Sequence, residues 1–209
     1  MRRQALDNFI KESTHELNTP ISALLMSVDA KGESADKNDQ RIKISARRIS
    51  DIYRDLTYLF LRDKESVPLE PLDMVQIVHE QIEALKPLAV KKGVTFHESG
   101  DERLMFEIDR ESAVRLVTNL LSNAIKYNRR GGTIYVHTGG GVLEVRDTGI
   151  GIGSEDQKEI FKRFFRATSQ SGGFGLGLSI VSDIAKRYGI TVELDSTLGK
   201  GATFRLRFL

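Results

Sequence analysis

The sequence predicts a helical hairpin followed by an α/β sandwich, in which a mixed sheet carries helices on one face. Three observations predict this. Apolar residues recur at heptad spacing through two early segments, each with a single stripe. A charged stretch with two prolines, Arg62 to Pro71, then interrupts the pattern. Beyond it, helical and strand periodicities alternate to the end of the chain. The expected domains are residues 1–64 and 65–209 of the 209-residue chain.

Composition excludes several classes. With 40% hydrophobic and 29% charged residues, the chain is of ordinary globular type. Its 31 basic and 29 acidic residues leave a net charge of +2, which is no signature of nucleic-acid or polybasic membrane binding. No stretch approaches the ~18 apolar residues of a membrane span, and "MRRQALDNFI" lacks the apolar core of a signal peptide. Cysteine is absent, so disulfides, thiolate chemistry and Cys-based zinc sites are excluded. A cytoplasmic location is consistent with that.

In the hairpin, Ile10, Leu17, Ile21, Leu24 and Val28 form the first seam, with Thr14 at its one polar position. "DAKGESADKNDQ", Asp29 to Gln40, reads as the connector. Ile42, Ala46, Ile49, Tyr53, Leu56 and Phe60 form the second seam. Two helices with one stripe each do not close a core. The simplest cover is a second copy, giving a dimeric four-helix bundle.

In the sandwich, Asp73 is placed to cap a helix running to about Lys92 and stopped by Gly93. Pro87 is expected to kink it or split its last turn. "VTFHE" and "LMFEI" read as strands. Asp109 caps a second helix through about Asn128. "TIYVHT" and "VLEVRD" form a hairpin around Gly139, Gly140 and Gly141. A glycine-rich stretch, Gly149 to Gly177, precedes a helix over Leu176 to Arg187, stopped by Gly189. "ITVELDS" and "ATFRLRFL" close the chain as a hairpin, so three hairpin-like pairs are expected in all.

Three clusters in this part carry chemistry. In "TNLLSNAIKYN", Asn119 and Asn123 share a helix face, and Lys126 and Tyr127 follow one turn on. Leu116, Leu120, Leu121 and Ala124 take the opposite side. Amide oxygens are hard ligands that suit Mg²⁺ held together with substrate phosphates. In "DTGIGI", Asp147 ends a strand, and Gly149 and Gly151 allow a tight turn with close backbone approach. A buried carboxylate there accepts a hydrogen bond from an exocyclic amino group such as that of adenine. In "GGFGLGLSIV", Gly172, Gly173, Gly175 and Gly177 lead into a helix N-terminus, where free N–H groups and partial positive charge bind phosphate. The pattern is neither a P-loop nor a dinucleotide-binding turn.

Taken in order, the clusters resemble the N, G1 and G2 boxes of the Bergerat-fold ATPases, a superfamily that includes gyrase, MutL and the sensor histidine kinases. Between the last two lies "IFKRFFRAT", whose Phe161, Phe164 and Phe165 resemble the F box of the histidine kinases. Phe165 stands where Tyr is common, and Lys162 where an acid is common. The resemblance implies ATP and Mg²⁺ as ligands, with Asn119 on the metal. It places Asn123 and Lys126 at phosphates or ribose and Tyr127 along the pocket. Asp147 reads the adenine amino group, above a floor shaped by Gly149, Gly151 and Ile152. Gly173, Gly175, Leu176 and Gly177 let a lid close over the phosphates, with Arg166, and after it Arg163, neutralising charge. That lid is expected over Ser154 to Gly172, its "SQSGG" portion mobile without nucleotide.

The hairpin completes the picture. "FIKESTHELNTPISAL" resembles the H box of kinases whose phospho-accepting domain is a dimeric helical hairpin. The motifs together span nearly the whole chain. His15 follows the seam position Thr14 and is expected at the bundle edge, while His79, His97 and His137 lie in ordinary patterns. A neutral imidazole, with reference pKa ~6.5, offers one nucleophilic nitrogen near neutral pH. Glu16 is placed to accept the proton from the other. By resemblance, Thr19 positions water to dephosphorylate a partner. Pro20 withholds an N–H from the Glu16 carbonyl and is expected to loosen this turn. The implied partners are a second copy of the chain and the receiver domain of a response regulator, with an upstream sensory region often anchored in a membrane. An ATPase or a nucleotide-regulated dimerisation scaffold without histidine transfer leaves the "HELNTP" context unexplained.

Overall fold

The structure is a computed structural model and describes residues 21–22, 24–26, 37–61, 68–101, 103–167 and 175–208. The chain separates into two compact units, Met1–Ser66 and Val67–Leu209.

In the first unit, the described residues from 21 to 26 are helical, with Ile21 buried and Leu24 and Met26 exposed. Helix α1 spans Lys37–Leu61 and carries Asp39 in its first turn, where negative charge complements the helix dipole. It begins earlier than expected: Lys37 to Gln40 of the expected connector are helical. Along the second seam, Ala46 and Tyr53 are buried, whereas Ile42 and Ile49 remain 43% and 48% exposed. Most of the expected first helix, with His15, Glu16, Thr19 and Pro20, lies outside the described residues.

The second unit is the sandwich. Its elements are β1 (Glu70–Asp73), α2 (Met74–Lys92), β2 (Thr95–Gly100), β3 (Met105–Ile108), α3 (Arg110–Lys126), β4 (Thr133–Gly139), β5 (Val142–Asp147), α4 (Gly177–Tyr188), β6 (Thr191–Thr197) and β7 (Gly201–Arg207). Local chemistry sets the helix ends. The Asp73 and Asp109 carboxylates accept from the N–H groups of Val75 and Ser112, capping α2 and α3. Gly93 and Gly189 end α2 and α4 in the left-handed region, at φ 69° and 68°. Pro87 stands within α2, and the helix continues through it to Lys92. α3 stops at Lys126, with Tyr127 as its C-cap, slightly short of expectation.

Two of the three expected hairpins form, β4 with β5 and β6 with β7, and the third does not. The five-stranded sheet has the order β2-β4-β5-β7-β6, with β2 parallel to β4 and the other pairs antiparallel. β3 pairs with β1 in a separate two-stranded sheet. "VTFHE" and "LMFEI" therefore belong to different sheets and are not partners. β1 was not expected; it includes Glu70 and Pro71, which the sequence assigned to the boundary segment. Both are exposed, and an edge position tolerates the missing proline N–H.

One face of the large sheet is covered. Ile134, Val136, Leu143, Val145 and Leu206 meet Ile77 and Ile82 of α2, Leu116, Leu120, Leu121 and Ile125 of α3, and Ile180 and Ile184 of α4 in one core of side chains at most 3% exposed. Each fully buried aliphatic residue contributes about 1.5–3 kcal/mol. The other face holds polar and aromatic rows: His97 stacks on Tyr135, which Arg146 covers at 4.4 Å. No described helix is long and apolar enough to cross a membrane.

Tyr188, at the end of α4, donates its hydroxyl hydrogen to the buried Asp109 carboxylate that caps α3. Tyr188→Phe removes a charge-assisted bond between two core helices. It should lower unfolding free energy by about 1–2 kcal/mol; an unchanged midpoint in urea denaturation would contradict this.

Candidate functional site

The site is built on α3. Leu116, Leu120, Leu121 and Ala124 are at most 4% exposed. The opposite stripe of Asn119, Asn123, Lys126 and Tyr127 is only partly covered. Asn119 donates its amide N–H to the Arg115 carbonyl at 2.8 Å. Its Oδ1 lies at the start of α4, where a Cβ on Gly177 would come within 2.6 Å of it. Glycine at 177 thus lets α4 begin against the amide oxygen. Leu176 before it is 2% exposed and supplies no side-chain cap. Its carbonyl accepts from the Ser179 hydroxyl and the Ile180 N–H. Among the described residues no side chain caps the first-turn amides of α4, and an open helix end is what anion binding requires.

At the other end of the stripe, Lys126 Nζ lies 4.7 Å from the centre of the Tyr127 ring, holding the cation over the aromatic face. The Lys126 carbonyl accepts from Lys92 Nζ. Burial pushes the Lys92 ammonium below its ordinary value, and the neighbouring Lys126 charge adds to this.

The Tyr127 carbonyl accepts from the Ile150 N–H at 3.0 Å, joining the end of α3 to the turn after Asp147. The Asp147 carboxylate is 7% exposed and accepts from the Gly149 N–H at 2.7 Å. Burial pushes its pKa up; the hydrogen bonds from the Gly149 and Ala202 amides work in the opposite direction. A Cβ on Gly149 would stand 2.3 Å from the Tyr127 carbonyl oxygen. Gly151 has φ 67°, and its Cβ would stand 2.1 Å from the Thr197 carbonyl oxygen. Close backbone approach is thus literal at both glycines, and no side chain fits.

The segment expected to open a lid is folded over its first half. Hydrogen-bonded turns run through residues 153–165. Ile160 is buried, and Phe161 packs edge-on against Phe204 at 6.5 Å. Phe164 adopts φ 66°, rare for a bulky residue, and donates its N–H to the Gly175 carbonyl. Gly175 has φ 73°, and its Cβ would approach the Phe165 carbonyl oxygen to 2.4 Å. Arg163 pairs with Asp183 of α4 at 2.9 Å, against the flank of that helix. Arg166 is exposed. Gly172, Gly173 and the "SQSGG" portion lie outside the described residues.

The structure therefore brings Asn119 to Gly177 and Leu176, and Tyr127 to Gly149 and Asp147. Sequence reasoning gave no role to Asn128. It is 5% exposed, donates to the Thr133 carbonyl, and accepts from the Arg129 N–H and the Thr148 hydroxyl. Its place directly after the Lys126–Tyr127 pair was the available signal. Among the described residues no group of three or more His, Cys, Asp or Glu could hold a metal. Oxygen donors at the site come from amides and backbone.

This arrangement is that of an ATP-binding domain. Residues 108–209 match the family described as histidine kinase-, DNA gyrase B-, and HSP90-like ATPase. The sensor-like histidine kinase SenX3 of Mycobacterium tuberculosis is 33% identical over 215 residues, covering 95% of this chain and 52% of that protein. The chain is thus similar to sensor histidine kinases, and it spans about half the length of such relatives. Two solved structures share the fold. Full-length ShkA in complex with AMPPNP has TM-score 0.76 at 21% identity, covering 95% of this chain and 45% of that one. The histidine kinase ThkA in complex with the response regulator protein TrrA has TM-score 0.65 at 21% identity, covering 99% of this chain and 62% of that one.

Proposed function

We propose that this chain is the kinase core of a sensor histidine kinase: it binds Mg-ATP, phosphorylates itself on His15 and passes the phosphoryl group to an aspartate of a response regulator. The observation that carries the reading is the meeting of the Asn119 amide oxygen with the uncapped start of α4, on the helix whose other end joins the buried Asp147. An adenine amino group donating to Asp147 would then leave the phosphates along the stripe, near Lys126 and the α4 amides.

The residues present fit a hard cation. The Asn119 Nδ2 is already engaged by Arg115, so the oxygen is the atom left at the helix start. Asn119 would hold Mg²⁺, which when bound supplies charge neutralisation at the phosphates. Asn123, Lys126 and Tyr127 would contact phosphates, ribose and ring, with Ile152, Leu176, Gly173, Gly175 and Arg166 completing the pocket. Transfer forms a P–N bond at His15 and breaks the P–O bond to the leaving ADP. Glu16 takes the proton from the other ring nitrogen. Thr19 would position water for the reverse hydrolysis on the partner, and Pro20 would loosen the turn that both activities use.

The half-exposed Ile42 and Ile49 support a second copy of the chain as the cover of the helical seams, in a dimeric four-helix bundle over residues 1–64. The ThkA–TrrA complex supports a receiver domain as the phosphoryl acceptor. The parent protein would carry a sensory region upstream, anchored in a membrane, with this core in the cytoplasm.

Incubation with γ-labelled Mg-ATP tests the reading. Protein-bound label that is labile in acid and stable in base is the expected result. ATP turnover at an ordinary rate with no label on the protein overturns histidine transfer.

A further inference from the structure

Beneath the Asp147 turn, two side chains outside every sequence motif tie three stretches of main chain together. Ser196, near the end of β6, accepts from the Ile152 N–H at 2.9 Å and donates to the Gly201 carbonyl at 2.7 Å. Gln157, in the first of the turns that follow Gly153, donates from Nε2 to the Ile152 carbonyl at 3.2 Å and to the Ser196 carbonyl at 2.9 Å. Both main-chain polar groups of Ile152 are thus held by side chains, one five residues on and one 44 residues on.

These bonds act where the main chains approach most closely. A Cβ on Gly201 would stand 2.0 Å from the Asp147 carbonyl oxygen, and the Gly199 N–H donates to the Ile150 carbonyl at 2.6 Å. The turn that carries Asp147 and the hairpin between β6 and β7 therefore move as one piece. Ser196 and Gln157 set the spacing between them. Both are half-buried, so their bonds are shielded from exchange with water without committing them to the core.

We propose that Ser196 and Gln157 are positioning residues that set nucleotide affinity by holding the Asp147–Ile152 turn in its binding geometry. The inference rests on the nucleotide reading of this site. A floor fixed before binding spares the ligand the cost of ordering it, and that cost appears in affinity and not in the chemical step.

The test uses the full chain with Gln157→Leu and Ser196→Ala. Calorimetry with Mg-AMPPNP gives the Kd and the fraction of competent sites; labelled autophosphorylation gives KM for ATP and kcat. Each variant should raise Kd and KM about 5- to 10-fold, with kcat within about twofold and the competent fraction unchanged. Ser196→Thr, which keeps the hydroxyl, should restore affinity. The double variant should lose less than the product of the two, because the side chains share Ile152 and Ser196 main-chain partners. A fall in competent fraction at constant Kd would mean a merely structural role and overturn the proposal. Unchanged Kd in both variants, with tight binding by the unaltered chain, removes the positioning role alone. Failure of the unaltered chain to bind Mg-AMPPNP removes the nucleotide reading and this proposal with it.

Discussion

His15→Ala should abolish acid-labile labelling from γ-labelled Mg-ATP while leaving Mg-AMPPNP binding within about twofold of the unaltered chain, since every nucleotide contact proposed above falls on the second unit. The chain has four histidines. Three are accounted for on the surface of the sandwich. His79 Nδ1 faces Glu98 at 3.2 Å, the His97 ring stacks on Tyr135, and His137 Nδ1 lies 3.1 Å from the Ser99 hydroxyl. None of them contacts the asparagine stripe. His79 and His97 also precede a glutamate in sequence, but His15 alone follows a seam position of the expected hairpin. Replacing His79, His97 or His137 by alanine should therefore leave the label in place. Label that survives His15→Ala and disappears with one of the others would move the acceptor and break the reading of the hairpin.

Asp147→Asn is expected to weaken Mg-AMPPNP binding by at least about 100-fold, through loss of a charged acceptor and the approach of two donors. The asparagine still has an oxygen for the Gly149 N–H, but its NH₂ would face the amino group that the carboxylate accepts. The fold should not suffer. Burial raises the Asp147 pKa, so its ionised form is a burden on the native state. The sign for the unliganded chain follows. This carboxyl's contribution to stability is fully present below its unfolded pKa and is lost as pH rises through the raised folded value. Asn, which never ionises, should keep the melting temperature at neutral pH equal to or above that of the unaltered chain. Nucleotide binding has the opposite dependence, since it favours the carboxylate, and should weaken as pH falls through the same window. Calorimetry across pH and thermal denaturation check both halves. Undiminished affinity in Asp147→Asn would remove Asp147 from the base-recognition role.

Both expectations draw on features that were legible in sequence because their causes are local. Asp73 and Asp109 cap helices because each carboxylate reaches an N–H two or three residues on. Gly93 and Gly189 stop helices because a left-handed residue is cheapest without a Cβ. The alternation in "TIYVHT" and "VLEVRD" marks a one-sided sheet, and the stripe of Asn119, Asn123 and Lys126 follows from helical spacing alone. Asp147, Gly149 and Gly151 were recognisable for the same reason: one short turn contains them.

What the sequence by itself determined is thus the identity of most elements, though not β1, and the helix stops at Gly93 and Gly189. The hairpins β4–β5 and β6–β7 were legible in sequence, and the tertiary structure alone decided the remaining strand pairings. β2 joined β4 in parallel and β3 joined β1, because a two-residue alternation states which face is buried but not which edge is shared. It likewise decided that Arg163 turns to Asp183, that Phe164 takes a positive φ against Gly175, and that Ser196 and Gln157 grip Ile152. Apart from the five residues between Gln157 and Ile152, these contacts span 11 to 44 residues of chain, within or across elements. Local propensity does not reach that far; such partners are set only when the burial of the common core brings the elements together.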